Sequence, residues 1–554
     1  MPIPIKNPIF GFAEFIAAFS LLMVLYTITD TRYKFRISIA PTSFEKISLL
    51  TETFLLTLLI AVGTLLSDVW FEKGWMMPSF LSVQAYWQSS FATFFVILLS
   101  SWIRYAFIIP PVFSKKNYTR FIQELYREIV KGSAVDLPII ANELNRSAPN
   151  IVKYSNIVIP SWQKKDEKNR NTKNKFDIGQ CAYEILLLIG NRKLCKYIVS
   201  NTPITAIAFF EEMTRNRKYQ LPIGTFATNI AAEALLDKDS ILYHEDEGYN
   251  SGLIGYIKPF SKAVFGNCKL VSSLSHQTPF DIDYKTLSSL DASQLKVYTK
   301  SFLIFVKDCL ENSTIDTHQT TFNRTLGFIT GRCTDIYKIN NVSDFYNTDA
   351  YRRLEVVSDF IKDLVKLLKE KDGSAIRRKL KSSGHFNDYY DVLVESMFDV
   401  LSNVASVKAP FDTSWQVQHN TVWNNYFSFV DQRNHAQKII HSRLCRRIYS
   451  EIKRMEEFPN YLSIKILGLC LNVMGLQMES KTIMPDYRAV KALHKCILGW
   501  TQKNYLRIRE KNIDVAESGL MEAMSFDENG KRLVKTYPKF LDTEATKHYL
   551  NLHQ

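Results

Sequence analysis

The sequence lacks the short motifs that usually mark an enzyme. Its eight cysteines (181, 195, 268, 309, 333, 445, 470, 496) come no closer than fourteen residues, so there is no C-x-x-C pair and no His/Cys cluster at zinc spacing. No G-x-x-x-x-G-K-[ST] loop occurs, which argues against a P-loop ATPase, and a G-x-S-x-G elbow is missing too. No motif implies a cofactor. Isolated thiols fit a reducing cytosol, where cysteine serves as a small buried hydrophobe. Glycine (20) and proline (18) are thinly spread over 554 residues, and few segments alternate for long, so the pattern is helical rather than β-rich.

Charge is scarce at one end. Residues 1–113 hold seven Lys/Arg and six Asp/Glu, against 69 and 55 in the whole chain, yet they carry four of the eight tryptophans (Trp70, Trp75, Trp87, Trp102). Three apolar stretches fall there: Ile9–Ile28, Ile47–Leu66 and Ser89–Ile109. Each has the ~20 residues that span a bilayer's hydrocarbon layer. Pro8 suits a first helical turn, Pro110-Pro111 stops the third stretch, and Trp70, Trp75 and Trp87 flank the second and third as an interfacial belt would. A cleaved signal peptide is the rival reading of the first stretch. One lysine before it, Glu14 within it and Arg32, Lys34 and Arg36 after it disfavour that reading.

Lysine and arginine set the expected orientation. Only Lys6 precedes the first span and only Lys73 lies in the second loop, whereas Arg32, Lys34, Arg36 and Lys46 fill the first loop and Lys115, Lys116, Arg120 and Arg127 follow the third span. This alternation places the N-terminus outside the cell and the C-terminal part in the cytosol, at the inner (plasma) membrane. The segment Arg32–Ile39 alternates basic or polar with apolar residues, a strand period suited to an anionic leaflet or to a short hairpin. Within the spans, Glu52 and Arg104 lie at similar depth and are expected to pair, while Glu14 sits near the outer leaflet. Thr53, Thr57 and Thr64 share one helix face, and Ser89, Ala92, Thr93, Val96 and Ser100 another; such stripes serve close packing, or line a wet pore built by several copies.

The expected fold is thus membrane all-α: three N-terminal transmembrane helices (1–114), then a large, mostly α-helical cytosolic part, for which stacked helix pairs are one arrangement. That part divides into 115–345, with a basic linker at 163–175, and a basic C-terminal domain, 346–554. Leu354, Val357, Ile361, Leu364 and Leu368 have heptad-like spacing over too short a run for a coiled coil.

Two clusters are candidate sites. His244, Glu245, Asp246 and Glu247 place an imidazole beside three carboxylates, a set that could hold Mg²⁺ or Ca²⁺ or do acid–base work, although EF-hand and H-E-x-x-H spacings are absent; an acidic surface loop is the plainer reading. Asp281-Ile-Asp283-Tyr-Lys285 loosely resembles a nuclease metal strand, but no second acidic cluster supports it. Residues 433–511 hold sixteen Lys/Arg against six Asp/Glu, a net +10. Arg443, Arg446, Arg447 and Arg454 can share a helix face there, a stripe suited to nucleic acid, a nucleotide or anionic lipid, or simply to solvent.

Three functions fit these features. The first is an oligomeric, channel-like membrane effector whose cytosolic domain senses a ligand or partner and controls the spans. The second is a membrane-tethered scaffold that recruits proteins. The third is a tethered hydrolase or nuclease using residues 244–247. The expected partners are the bilayer, further copies of the chain, an anionic ligand at the basic stripe and a protein partner.

Overall fold

In the computed structural model, residues 12–28, 30–41, 49–73, 84–156, 177–247, 258–312, 319–369, 388–427, 434–478, 488–537 and 545–553 are described. The basic linker 163–175 and Trp75 lie outside them. About three-quarters of the structure is helical. The chain divides into two units, Met1–Ile241 and Leu242–Gln554.

The first unit opens with α1 (Phe12–Ile28), α2 (Thr31–Ile39), α3 (Leu49–Glu72) and α4 (Gln84–Ile103), the last running into a π-helical turn, Arg104–Ile108. Among the described residues one helix, Ala85–Ile108, is long and apolar enough to cross a membrane, with a mean hydropathy of 1.7. Three such helices are expected from the sequence; here the apolar part of α3, Thr51–Leu66, is shorter than a full span, and α1 is described over 17 residues. The three helices share a narrow core of Phe15, Ile60 and Phe95, with the Phe15 and Phe95 rings edge-to-face at 5.8 Å. Thr53, Thr57 and Thr64 are buried, and the Thr57 and Thr64 hydroxyls bond to carbonyls of their own helix. Ser89, Thr93, Val96 and Ser100 instead lie on an exposed face of α4.

Arg32–Ile39 is helical, not extended as its alternation suggests. Burial overrides the period: Phe35 packs on Phe121, and Ile37 and Ala40 pack against Trp102 and Ala106. Helices α5 (Tyr118–Lys131), α6 (Asp136–Tyr154), α7 (Ile178–Leu188), α8 (Arg192–Asn201), α9 (Pro203–Arg215) and α10 (Gly224–Leu236) complete this unit. Helix α6 shows why they bundle. Leu137, Ile140, Ala141, Leu144, Ala148 and Ile151 recur at three- and four-residue steps and are all buried, each larger side chain contributing ~1.5–3 kcal/mol. Gly132 closes α5 at φ 62°, where any side chain would be strained.

In the second unit, α11 (Ile241–Glu247), α12 (Pro259–Phe265), α13 (Cys268–Ser273) and α14 (Tyr284–Ser289) are short. Longer helices follow: α15 (Ala292–Glu311), α16 (Gln319–Gly331), α17 (Asp349–Lys369) and α18 (Tyr389–Val404). The heptad-like residues of α17 are all buried, so that spacing marks a core face. Next come α19 (Phe411–Trp415), a π-helix (Gln416–Trp423), α20 (Asn424–Phe427), α21 (His435–Lys453), α22 (Tyr461–Met474), α23 (Arg488–Lys511) and α24 (Ile513–Ser518). Gly468 of α22 lies so close to Gly519 that an added Cβ would sit 1.9 Å from the Gly519 carbonyl oxygen. The chain then forms a small antiparallel sheet, β1 (Met524–Asp527), β2 (Arg532–Thr536) and β3 (Lys547–Asn551), which the helical expectation omits. Cys268 and Cys309 are disulfide-bonded, against the expectation of isolated thiols; Cys181, Cys195, Cys333, Cys445 and Cys470 are buried and free.

Candidate functional site

A polar cleft of about 640 Å³ lies in the second unit between α15, α17 and the π-helix. A π-helix is rare and costs backbone geometry, so its appearance in the wall of a cleft is a pointer to function. Side chains hold it in place. Ser358 Oγ donates to the Thr421 carbonyl (2.7 Å) and accepts from Asn425 Nδ2 (3.0 Å). Tyr351 Oη lies 3.1 Å from Thr421 Oγ1 and accepts from Gln416 Nε2 at 3.3 Å. Burial, helped by the neighbouring Glu355 carboxylate, pushes the Tyr351 hydroxyl's pKa above its usual value, against the hydrogen bonds from Thr421 and Gln416.

The cleft is lined by charges of both signs, with Arg352 standing on α17 beside its carboxylates. Glu355, Asp359 and Asp363 project from successive turns of α17, and Lys296 and Lys300 from α15. Asp246 holds Lys300 at 2.7 Å and Lys366 holds Asp363 at 2.8 Å. Such a lining, with carboxylates, ammonium groups, amides and a phenol, can hold a small ligand bearing charges of both signs.

The site residues expected from sequence fall elsewhere. His244–Glu247 is the end of α11, not a loop, and His244 is exposed. Glu245 is fully buried and caps α12, accepting from Phe260 N (2.7 Å), Ser261 N (2.9 Å) and Ser261 Oγ (2.6 Å). Asp246 is the partner of Lys300. The Glu247 side chain lies outside the described set. Among the described residues no group of three or more His, Cys, Asp or Glu could hold a metal ion. Asp281–Asp283 is irregular chain leading into α14 at Tyr284 and Lys285, not a metal-binding strand: Asp281 pairs with Arg324 at 2.8 Å, and Asp283 caps α14.

Arg443, Arg446 and Arg447 lie on α21 and Arg454 follows its end in a 3₁₀ turn, and the charges of this stripe are largely met by carboxylates of the same unit. Arg443 Nη1 donates to Asp388 and, at 2.7 Å, to Asp391. Arg447 bonds to Glu395 (3.0 Å) and Glu451 (2.9 Å) and lies over the Phe398 ring at 3.8 Å; Arg454 reaches Glu451 at 3.2 Å. Burial works against the Glu451 carboxylate, yet bonds from Arg447, Ser463 and Arg454 outweigh it and hold its pKa below the usual range. Arg446 remains exposed.

In the apolar segment Glu14 is exposed, and Glu52 and Arg104 form no ion pair. Arg104 is exposed on the π-turn, whereas Glu52 acts on Arg120 of α5, opposing the burial that lowers the Arg120 pKa. A different arginine makes the internal pair. Arg36, read as a surface charge, is buried in α2 and donates to Glu143 Oε1 from Nη2 (2.6 Å) and Nε (3.1 Å), and from Nη1 to the Ala106 carbonyl (3.1 Å). One guanidinium thereby joins α2, α6 and the π-turn that ends the apolar helix. Its position just after a span suggests a headgroup contact, and nothing local to it foretells a carboxylate 107 residues away.

Sequence gave no hint of Lys535 either. It is fully buried in β2, its Nζ donating to the Asn472 carbonyl and lying 4.7 Å from the Tyr537 ring and 5.3 Å from that of Trp415. Burial lowers its pKa to about 8. No family model, no curated protein and no solved structure matches this chain.

Proposed function

We propose that this chain is a membrane effector: α1, α3 and α4 lie together in a bilayer, and the helical units respond to a ligand or partner and act on those helices. The observation that carries the bilayer part is an inverted surface. Leu59, Phe94, Ile97 and Ile108 are each at least 60% exposed, while the inner face holds the buried threonines. So much apolar area is costly in water and favourable in lipid. Helix α2 supports the coupling, because Arg36 ties the end of α4 to α6 and any shift of α6 strains the π-turn.

The lysine/arginine alternation supports an N-terminus outside and the second unit in the cytosol. The Cys268–Cys309 bond weighs against that side, since disulfides persist in oxidising compartments. Reporters fused after Gln554 and inserted near Gly74 decide it: this orientation expects them on opposite sides, the first cytosolic. The scaffold reading is second, favoured by arginines that serve internal packing. The hydrolase reading is third, because Glu245 caps a helix and Asp246 pairs with Lys300. The effector reading is tested by reconstituting the whole chain in dye-loaded vesicles and measuring stoichiometry and release. Several copies per assembly, with a leak altered by Arg36→Ala, is the expected result; a monomer that leaves vesicles sealed in every condition would sink it.

A further inference from the structure

A second cavity, of about 510 Å³, opens along the C-terminal half of α17, a size within the range of small-molecule sites. Where the polar cleft takes the acidic residues of α17, this cavity takes its lysines. Lys362, Lys366 and Lys369 recur at i, i+4 and i+7 and line it together, and among the described residues no carboxylate lines it. The rest of the wall is largely carbon, from Ile361, Val365, Met397 and the Tyr426 ring. Lysine stems can extend such a wall while their ammonium groups reach the mouth. Its polar end carries no charge. His441 is buried and bonds through Nε2 to the Tyr426 carbonyl at 2.7 Å, an acceptor, so that nitrogen carries a proton, and burial lowers the ring's pKa to about 4 and keeps it neutral. Lys366 also pairs with Asp363, but both are about half exposed, and such surface pairs exchange readily.

We infer that this cavity binds a single-chain amphiphile with an anionic head. The acyl chain lies against Ile361, Val365 and Met397, and a carboxylate or phosphate head meets the three lysines. This goes beyond the effector reading and does not depend on it, since all the lining residues belong to the second unit.

The test uses the full chain in nanodiscs of phosphatidylcholine alone, with a diazirine-bearing palmitate as probe and peptide mapping as readout. Labelling is expected in the peptides holding residues 361–369 and Met397. Unlabelled palmitate or C16 lysophosphatidate should compete, the better of the two identifying the head, while hexadecanol competes at least about tenfold less well. Each two methylenes added to a short fatty acid should tighten competition about tenfold. Lys362→Glu/Lys366→Glu/Lys369→Glu, changes at the mouth that leave the core intact, should cut labelling about tenfold. Val365→Trp should block it by filling the cavity. If that variant fails to fold, the lysine variant decides. Labelling confined to residues 12–108, equal competition by hexadecanol, or full labelling of the lysine variant would each overturn the inference.

Discussion

Replacing Arg36 by alanine isolates the link between the apolar helix and the bundle. Its side chain and that of Glu143 are 7% and 3% exposed, so the change strands a carboxylate away from water. Breaking a buried pair from one side costs ~3–5 kcal/mol, because the remaining charge loses its partner but not its desolvation. For a unit of this size ~1 kcal/mol moves Tm by about 2–4 °C, so the first unit should melt about 6–20 °C lower. Glu143→Ala should cost a similar amount. Arg36→Met/Glu143→Leu should recover most of the loss, since it leaves no orphan charge. The assay is thermal unfolding of the chain in nanodiscs, with amide exchange followed peptide by peptide. Exchange should rise in α2 and at 104–109, where Arg36 holds the Ala106 carbonyl, before it rises in α8. If Arg36→Ala melts within about 1 °C of the parent, or if the two single losses simply add, the buried pair is not what joins these elements.

Other outcomes follow from buried groups of the second unit. Lys535 has its folded pKa lowered to about 8, so between there and its unfolded value near 10.5 the unfolded chain holds more protons and stability rises with pH. Lys535→Met should remove that slope and gain up to about 3 kcal/mol at pH 7, read from denaturant titrations; an unchanged slope would contradict it. Burial lowers the His441 pKa to about 4, so stability should fall as pH drops from about 6.5 towards 4, by up to about 3 kcal/mol, and His441→Leu should flatten that limb. Glu245→Ala removes the acceptor of three hydrogen bonds at the start of α12 and should cost about 2–4 kcal/mol; a neutral result would free Glu245 for another role.

What could be read from sequence was whatever repeats along one element. The 3.6-residue period revealed the helices, and the buried face of α17 appeared as Leu354, Val357, Ile361, Leu364 and Leu368. The β-sheet was legible in principle: Asp527-Glu-Asn-Gly530 is a turn signal, and β2 alternates, but its inward positions are Leu533 and Lys535, and an inward lysine hides the apolar period. Partners distant in sequence were not legible. Arginines on one face of α21 look alike whether they meet phosphate or Asp388, Asp391, Glu395 and Glu451, and only the fold brings α18 against them. The polar cleft was hidden for the same reason: its walls come from three segments spread over residues 292–425, and a π-helix has no sequence pattern of its own.

The central claim is that α1, α3 and α4 lie in lipid, and alkaline carbonate extraction tests it most directly. Membranes from cells expressing the full chain are washed at high pH and floated on a density gradient, beside a variant with Leu59, Phe94 and Ile97 all replaced by asparagine. Those side chains are exposed and apolar, so in a bilayer each substitution places an amide in hydrocarbon at a cost of roughly 1–3 kcal/mol, whereas in water it relieves an apolar patch. The account predicts that the parent floats with lipid after the wash and that the variant is depleted from the floating fraction. A parent chain released by carbonate as a soluble, monodisperse protein, with the variant behaving identically, would contradict it.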